Sequence, residues 1–288
     1  MRGPHTGLRS PQKQAAGTTV RRGRTAIAPH AFAGSLFDLA GKVAVVTGSS
    51  RGIGRAIAGR MAQHGARVVV SSRKRDACEA AVAEIEAAHG AGSAIAVPAS
   101  LSSKEELHHL IAETTRRLGQ VDVLVCNAAS NPYYGPLAEI SDEQFRKILD
   151  NNVIANHWLI GAVALQMIAR RDGAIVLVSS IGGLKGSDII GGYNVSKAAD
   201  FQLARNYAVE FGPHNVRINC VAPGLVRTDF ARALWENPDN LKASTRRTPL
   251  GRIGEPDEIA GAAVFLASDA GRFMTGQSIV IDGGATIT

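Results

Sequence analysis

Tyr193 and Lys197 stand four residues apart in Tyr193-Asn194-Val195-Ser196-Lys197, a spacing that on a helix puts both side chains on one face, one above the other. A phenol ordinarily gives up its proton at about pH 10. An adjacent ammonium favours the phenolate and lowers that value, so the pair reads as a tuned acid/base. Tyr-x-x-x-Lys alone recurs by chance. Here it accompanies Ser180, thirteen residues upstream at the end of a predicted strand, Asn152 within Asp150-Asn151-Asn152-Val153, and a glycine-rich loop.

That loop, Thr47-Gly48-Ser49-Ser50-Arg51-Gly52-Ile53-Gly54, follows a predicted strand and opens a predicted helix. Gly48, Gly52 and Gly54 permit a tight turn, close backbone approach to a pyrophosphate and close helix-to-strand packing, and the helix aims its first N–H groups at the anion. Ser50, Arg51 and Ile53 complete the nucleotide-facing surface of the same loop. The strand–loop–helix context is what distinguishes a dinucleotide site from a structural turn. About 20 residues further on, where NAD-type sites place a carboxylate on the adenosine ribose, the chain has Ser71-Ser72-Arg73-Lys74 and no acid. Arg73, Arg51 and Ser72 instead offer donors to a 2′-phosphate, which Arg can grip with a bidentate fork. NADP(H) is favoured over NAD(H), against the plain alternative that these cations are solvated surface groups.

From Lys42 onward short β-branched runs alternate with longer helical patterns, as right-handed βαβ crossovers require. The strands are expected at 43–47, 67–72, 94–98, 121–126, 174–179, 216–221 and 278–281. Ile53, Ile57 and Met61 give the first intervening helix an apolar stripe. The expected fold is α/β, a Rossmann-type doubly wound sheet of seven parallel strands with helices on both faces, in a single domain over residues 37–288. At 45% hydrophobic and 20% charged the composition is globular.

Charge is unevenly placed. Residues 1–36 carry six bases and no acid, which leaves the other 252 residues at +1 of the total +7. Residues 1–36 are therefore read as a basic, disordered extension. A transit peptide would share its composition but not its lack of an amphipathic pattern. Phosphate tracking is a poor fit to the near-neutral body, so no nucleic acid partner is expected. Three scattered cysteines and eight scattered histidines offer no ligand spacing, and no metal is expected. No continuous apolar run reaches about 18 residues, so the expectation is a cytoplasmic protein without a membrane span.

Taken together, Thr47 to Gly54, Cys126-Asn127-Ala128-Ala129, Asn152, Ser180, Tyr193, Lys197 and Pro223-Gly224 resemble the short-chain dehydrogenase/reductases of the classical type, from about Leu39 to the carboxyl end. The resemblance implies a tetrad of Asn152, Ser180, Tyr193 and Lys197, an extended nicotinamide cofactor and, usually, a homotetramer. Asn131-Pro132-Tyr133-Tyr134-Gly135 and Ser71-Ser72-Arg73-Lys74 look most like the NADPH-dependent carbonyl reductase and retinal reductase branch. Cys126 and Ala129 depart from the family's usual Asn-Asn-Ala-Gly but are small, with Asn127 retained as a strand-bracing hydrogen bonder beside Ala128. Ser100, in Ala99-Ser100-Leu101, stands where the family often has an Asp-Val pair beside the adenine and would supply a hydroxyl contact there.

By the same resemblance, hydride passes between nicotinamide and a carbonyl carbon, Ser180 and Tyr193 hold the oxygen, Lys197 holds the cofactor ribose, and Asn152 positions a water that relays protons. The segment Pro223-Gly224-Leu225-Val226-Arg227-Thr228 is expected at the carboxamide end, with Thr228 a hydrogen bonder. Asp229 to Pro249 is expected to be a substrate lid, the plain alternative being a connecting helix. Phe230, Leu234 and Trp235, with Tyr133 and Tyr134, could wall an apolar pocket for a small-molecule ketone, aldehyde or secondary alcohol. Two rivals stay open: a 3-oxoacyl-thioester reductase, and a non-catalytic NADP(H)-binding sensor.

Overall fold

The computed structural model describes residues 35–288. The basic extension falls outside the described residues as far as residue 34. Its last residues belong to the body, because the Leu36 carbonyl accepts a hydrogen bond from the Ala270 N–H at 3.0 Å.

Seven strands form: β1 (Val43–Thr47), β2 (Arg67–Ser71), β3 (Ala94–Ala96), β4 (Val123–Cys126), β5 (Gly173–Val178), β6 (Val216–Pro223) and β7 (Ser278–Ile281). They make one sheet in the order β3-β2-β1-β4-β5-β6-β7, and each neighbouring pair is parallel. The expected doubly wound sheet is therefore present, with its ends shifted. β6 runs on to Pro223 because Cys220–Pro223 pair with Ser278–Ile281. β3 stops before Pro98, which has no N–H to give a ladder.

The helices are α1 (Gly52–Gln63), α2 (Arg75–His89), α3 (Lys104–Leu118), α4 (Asp142–Leu149), α5 (Ala155–Arg170), α6 (Gly191–Phe211), α7 (Arg232–Trp235), α8 (Pro238–Arg246) and α9 (Pro256–Ala267). Apolar strand residues alternate between the two faces, as a period of two demands. Ala44, Val46, Val68, Val70, Val123 and Val125 meet Ile57 and Met61 of α1, Ile85 of α2 and Ile259 and Ala263 of α9. Val43, Val45, Val69, Leu124, Ile175 and Ile218 meet Leu110 of α3, Leu159, Ile160 and Met167 of α5 and Phe201 of α6. Near-continuous apolar strands are what a parallel sheet covered on both faces needs.

Between α4 and α5 the chain makes one π turn, Asp150–Ile154, so that Asp142–Arg170 runs as a single helix of 29 residues. By length and composition this helix could cross a membrane, although charged and polar residues interrupt its apolar positions. In the fold its apolar side is spent on the sheet: Leu159, Ile160, Val163 and Met167 are fully buried.

The foot of β4 is fastened by a buried carboxylate. Asp122, 3% exposed, accepts from the Val43 N–H at 2.8 Å and from Gln120 Nε2 at 2.7 Å, with Arg170 at 3.7 Å. Removing it strands the buried Val43 N–H, while Arg170 keeps Val121 O at 2.7 Å and Gln166 Oε1 at 3.2 Å. Asp122→Ala is expected to lower stability by about 2–3 kcal/mol, read as a fall in the urea midpoint at unchanged slope; an unmoved midpoint contradicts this account of the β1–β4 junction.

Candidate active site

The strand order reverses between β1 and β4, and ligand crevices of doubly wound sheets open at such a point, beyond the carboxyl ends of the strands. Here that crevice is a cleft of about 1220 Å3, reached by the ends of β1, β2, β4, β5 and β6. Gly48, Ser50, Arg51, Gly52, Ile53, Ser72, Arg73, Ser100, Asn127, Ala128, Ser180, Tyr193, Lys197, Pro223, Gly224, Val226 and Thr228 all line it. Gly54 and Asn152 do not, and both act from behind the wall.

The glycine loop has the shape of a phosphate cradle. Gly48 and Gly52 sit at φ +65° and +58°, where side chains are strained, and a Cβ on Gly48 would come within 2.9 Å of Ala128 Cα. A Cβ on Gly54 would meet Gly48 O at 2.5 Å, so this glycine lets α1 close on the loop. Asn127 braces the arrangement, donating from Nδ2 to Thr47 O at 2.9 Å and from its N–H to Thr47 Oγ1 at 3.0 Å. Helix α1 begins with no capping side chain and no acid in its first turn. Its leading N–H groups are thus left for an anion in the cleft. These residues fit a dinucleotide pyrophosphate.

The adenosine end is basic but not uniformly free. Arg73 and Lys74 are exposed and have no ion pair among the described residues. Arg51 leans on Asp229 at 3.4 Å, an exposed contact that solvent weakens. The Ser72 hydroxyl lies 3.1 Å from Cys78 Sγ. At Ser100 the N–H is held by Glu106 at 2.9 Å, while its hydroxyl oxygen accepts from Ser102 N at 3.3 Å and retains a proton to donate.

At the other end, the acid/base groups converge. Ser180 follows β5 and its Oγ accepts from the Gly182 N–H at 3.0 Å, leaving the hydroxyl proton for the cleft. Tyr193 and Lys197 lie on α6 as the four-residue spacing requires, with Nζ 5.7 Å from the phenol ring centre. The expected electrostatics need a correction. Burial pushes the Tyr193 phenol above its ordinary value; Lys197 and Ser180 pull it down, and Asp200 raises it again. The net direction is upward in the protein alone, because burial penalises the phenolate more than the ammonium rewards it.

Asn152 is held from behind the cleft wall. It sits in the π turn, fully buried, with Oδ1 accepting from Ser130 N at 2.8 Å and Nδ2 donating to Ser130 O and Ser196 Oγ, each at 3.0 Å. Both amide donors are spent on latching the loop after β4 to α6. Its carbonyl oxygen takes Asn156 Nδ2 at 2.7 Å. Its side chain does not line the cleft.

Residues 229–249 form α7 and α8, largely exposed, with Phe230 and Leu234 on the cleft wall. Phe230 lies 5.8 Å from the Tyr193 ring, and Tyr134 OH reaches Phe230 O at 3.5 Å. Two expected wall residues are elsewhere. Trp235 donates to Thr228 O at 3.0 Å and takes Arg227 over its ring, while Tyr133 turns back to Pro136 O at 3.1 Å. Short-range partners capture both polar aromatic tips.

Asp200 and Asn156 were not singled out from sequence, yet both are buried against Lys197 or its partner. The available signal was an acid three residues after Lys197 in an otherwise apolar stretch, Ala198-Ala199-Asp200-Phe201, since acids in such places need a partner.

Comparison with known proteins bears on these features. A family model described as enoyl-(acyl carrier protein) reductase matches residues 48–286. Dehydrogenase/reductase SDR family member 4 of Bos taurus is 43% identical over 245 residues, 85% of this chain and 87% of that protein. A putative gluconate dehydrogenase from Agrobacterium tumefaciens superposes with a TM-score of 0.85 at 32% identity, covering 88% of this chain and all of that one. A putative NAD(P)-dependent gluconate 5-dehydrogenase from Beutenbergia cavernae, with bound NADP at low occupancy, does so with 0.83 at 38%, over 88% and 100%. With the glycine cradle, the Ser180–Tyr193–Lys197 cluster and the seven-stranded sheet in place, the chain belongs to the short-chain dehydrogenase/reductase family of oxidoreductases.

Proposed function

We propose that this protein is an NADP(H)-dependent oxidoreductase acting on apolar ketones or aldehydes and the matching secondary alcohols, with Tyr193 as general acid/base. The observation that carries this reading is the Tyr193 phenol set between Ser180 and the buried Lys197 ammonium on the cleft wall. Bound NADP(H) supplies or accepts the hydride. Ser180 and Tyr193 donate hydrogen bonds to the substrate oxygen as it gains charge, and Tyr193 then passes it a proton. Lys197 uses two of its three N–H donors on protein oxygens and has one for the cleft. Phe230, Leu234 and Tyr134 exclude water from the reacting carbon and favour an apolar substituent.

A second reading, reduction of a 3-oxoacyl thioester, draws support from Lys147 and Lys185 on the cleft wall, which suit an anionic carrier, and from the description of the matching family model. Comparing acetoacetyl thioesters with apolar diketones, using both NADPH and NADH, separates the two: the first reading expects the diketones to be the better substrates by kcat/KM. NADPH binding without turnover across the panel would favour a nucleotide sensor instead.

NADP(H) preference rests on Arg73, exposed at the end of β2 with no acid beside it. Arg73→Asp is expected to raise the KM for NADPH about tenfold or more, the loss of a charged hydrogen-bond partner, and to change that for NADH little. Equal effects on both cofactors remove the assignment.

Tyr193→Phe is expected to cut kcat by about a thousandfold while NADPH fluorescence still reports binding. The upward direction of the Tyr193 pKa fixes the pH dependence of the wild type. Reduction needs the phenol, so its rate holds through neutral pH and falls as pH rises through the raised value. Oxidation needs the phenolate and climbs over that same interval. Rate profiles in both directions check this, and a reductive rate already collapsing below neutrality contradicts it.

A further inference from the structure

Lys197 is 2% exposed and Asp200 is not exposed at all, yet their Nζ and Oδ2 atoms lie 3.0 Å apart inside α6. Nothing in an acid/base built from a phenol and an ammonium calls for this carboxylate. Its surroundings show what it does. The ammonium donates to Val178 O at 2.9 Å and to Asp200 Oδ2, so the two protein bonds fix the direction of the third N–H, on the side where Lys197 meets the cleft. Behind it, Asn156 Nδ2 donates to Asp200 Oδ1 at 3.0 Å and to Asn152 O at 2.7 Å. The Asn156 Oδ1 atom is buried without a partner. Turning the amide over would set that oxygen against two acceptors, the Asp200 carboxylate and the Asn152 carbonyl, so the amide is oriented by them with its NH2 towards Asp200. The π turn, α5 and α6 are thereby joined in one line of bonds that ends on Lys197.

The charge balance is equally specific. The titratable groups facing Lys197 are Tyr193 and Asp200 on its own helix, Cys126 from β4, Cys220 from β6, and Tyr134 across the cleft beyond Tyr193. Burial pushes both thiols up, Cys220 to about 12, so they are neutral at working pH. Burial pushes Asp200 above the ordinary carboxylate range, and the Lys197 ammonium and the Asn156 amide oppose that rise; bonded to both, Asp200 is the anion that offsets Lys197 among the described residues. Burial by itself pulls the lysine down, and Asp200 and Tyr193 return it to above the ordinary lysine range.

We propose that Asp200 is a positioning residue of this site: its buried carboxylate, steadied by Asn156, is the counter-ion that keeps Lys197 an ammonium and aims it at the cleft beside Tyr193. Without that anion a buried amine escapes the cost of burial by shedding its proton. Tyr193 would then lose the one neighbouring charge that favours its phenolate.

The inference rests on Tyr193 being the acid/base, and the test separates the two ideas. In cofactor-free protein labelled with 15N-lysine, the Nζ resonance of Lys197, assigned by its loss in Lys197→Met, is followed against pH. The wild type is expected to stay an ammonium beyond the ordinary lysine value of about 10.4. Asp200→Asn is expected to release the proton at least about two pH units earlier, to lower kcat about tenfold or more with KM changed far less, and to bring a new loss of activity towards alkaline pH. Asp200→Glu, which keeps the charge, is expected to restore the Nζ titration in part. A wild-type Lys197 that titrates at or below the ordinary lysine value overturns the proposal even if Asp200→Asn fails to fold. So does a folded Asp200→Asn with unmoved titration and kcat. Full activity of Tyr193→Phe overturns the reading of the active site while leaving the Lys197 titration to stand or fall separately.

Discussion

An ammonium sealed inside a protein persists only if every part of it is answered, and Lys197 is answered by one carbonyl, one carboxylate and the open cleft. This requirement organises the region around it. The carbonyl is Val178 O, at the last residue of β5, so the lysine registers α6 against the sheet. The carboxylate draws Asn156 into place, and Asn156 holds the Asn152 carbonyl in the π turn. Asn152 in turn clamps Ser130 and Ser196. A single buried charge thus ties the reactive phenol to β5, to the loop after β4 and to the long α4–α5 helix. Low dielectric makes each of these bonds stronger and each omission dearer.

The nucleotide end obeys a different constraint, that of close approach. There the working groups are backbone N–H donors of the glycine loop and α1, and side chains matter chiefly by their absence: Cβ atoms at 48 or 54 would strike Ala128 or Gly48. Asn127 and Thr47 lock β1 to β4 beneath the loop, so the anion site and the acid/base site share the same pair of strands. The strand-order reversal lies between those two strands, which is why the cleft opens there and not along another edge of the sheet.

Much of the fold was legible because the central strands β1, β4 and β5 are almost wholly apolar and buried, as a parallel sheet covered on both faces requires. The ends were less legible. β6 is lengthened by its pairing with β7, a long-range event, and β4 is shortened where Asp122 turns its carboxylate to the Val43 N–H. The cofactor loop and the Tyr193–Lys197 pair were legible because their chemistry depends on local spacing. The aromatic wall was legible only in part: Phe230 and Leu234 reach the cleft, while Trp235 and Tyr133, of similar character, are taken by Thr228 and Pro136.

By sequence alone, spacing and composition determined the alternating α/β order, the glycine cradle, the absence of an acid after β2, and the shared helix face of Tyr193 and Lys197. These are local properties, set by helical and strand periods. Only the tertiary structure decided that Asn152 spends its amide on a latch, that Arg51 leans on Asp229, that the phenol is raised and not lowered, and that Asp200 faces Lys197 in a sealed interior. Burial and the partners supplied by distant segments govern these outcomes, because desolvation depends on what packs around a group and not on which residues adjoin it in the chain.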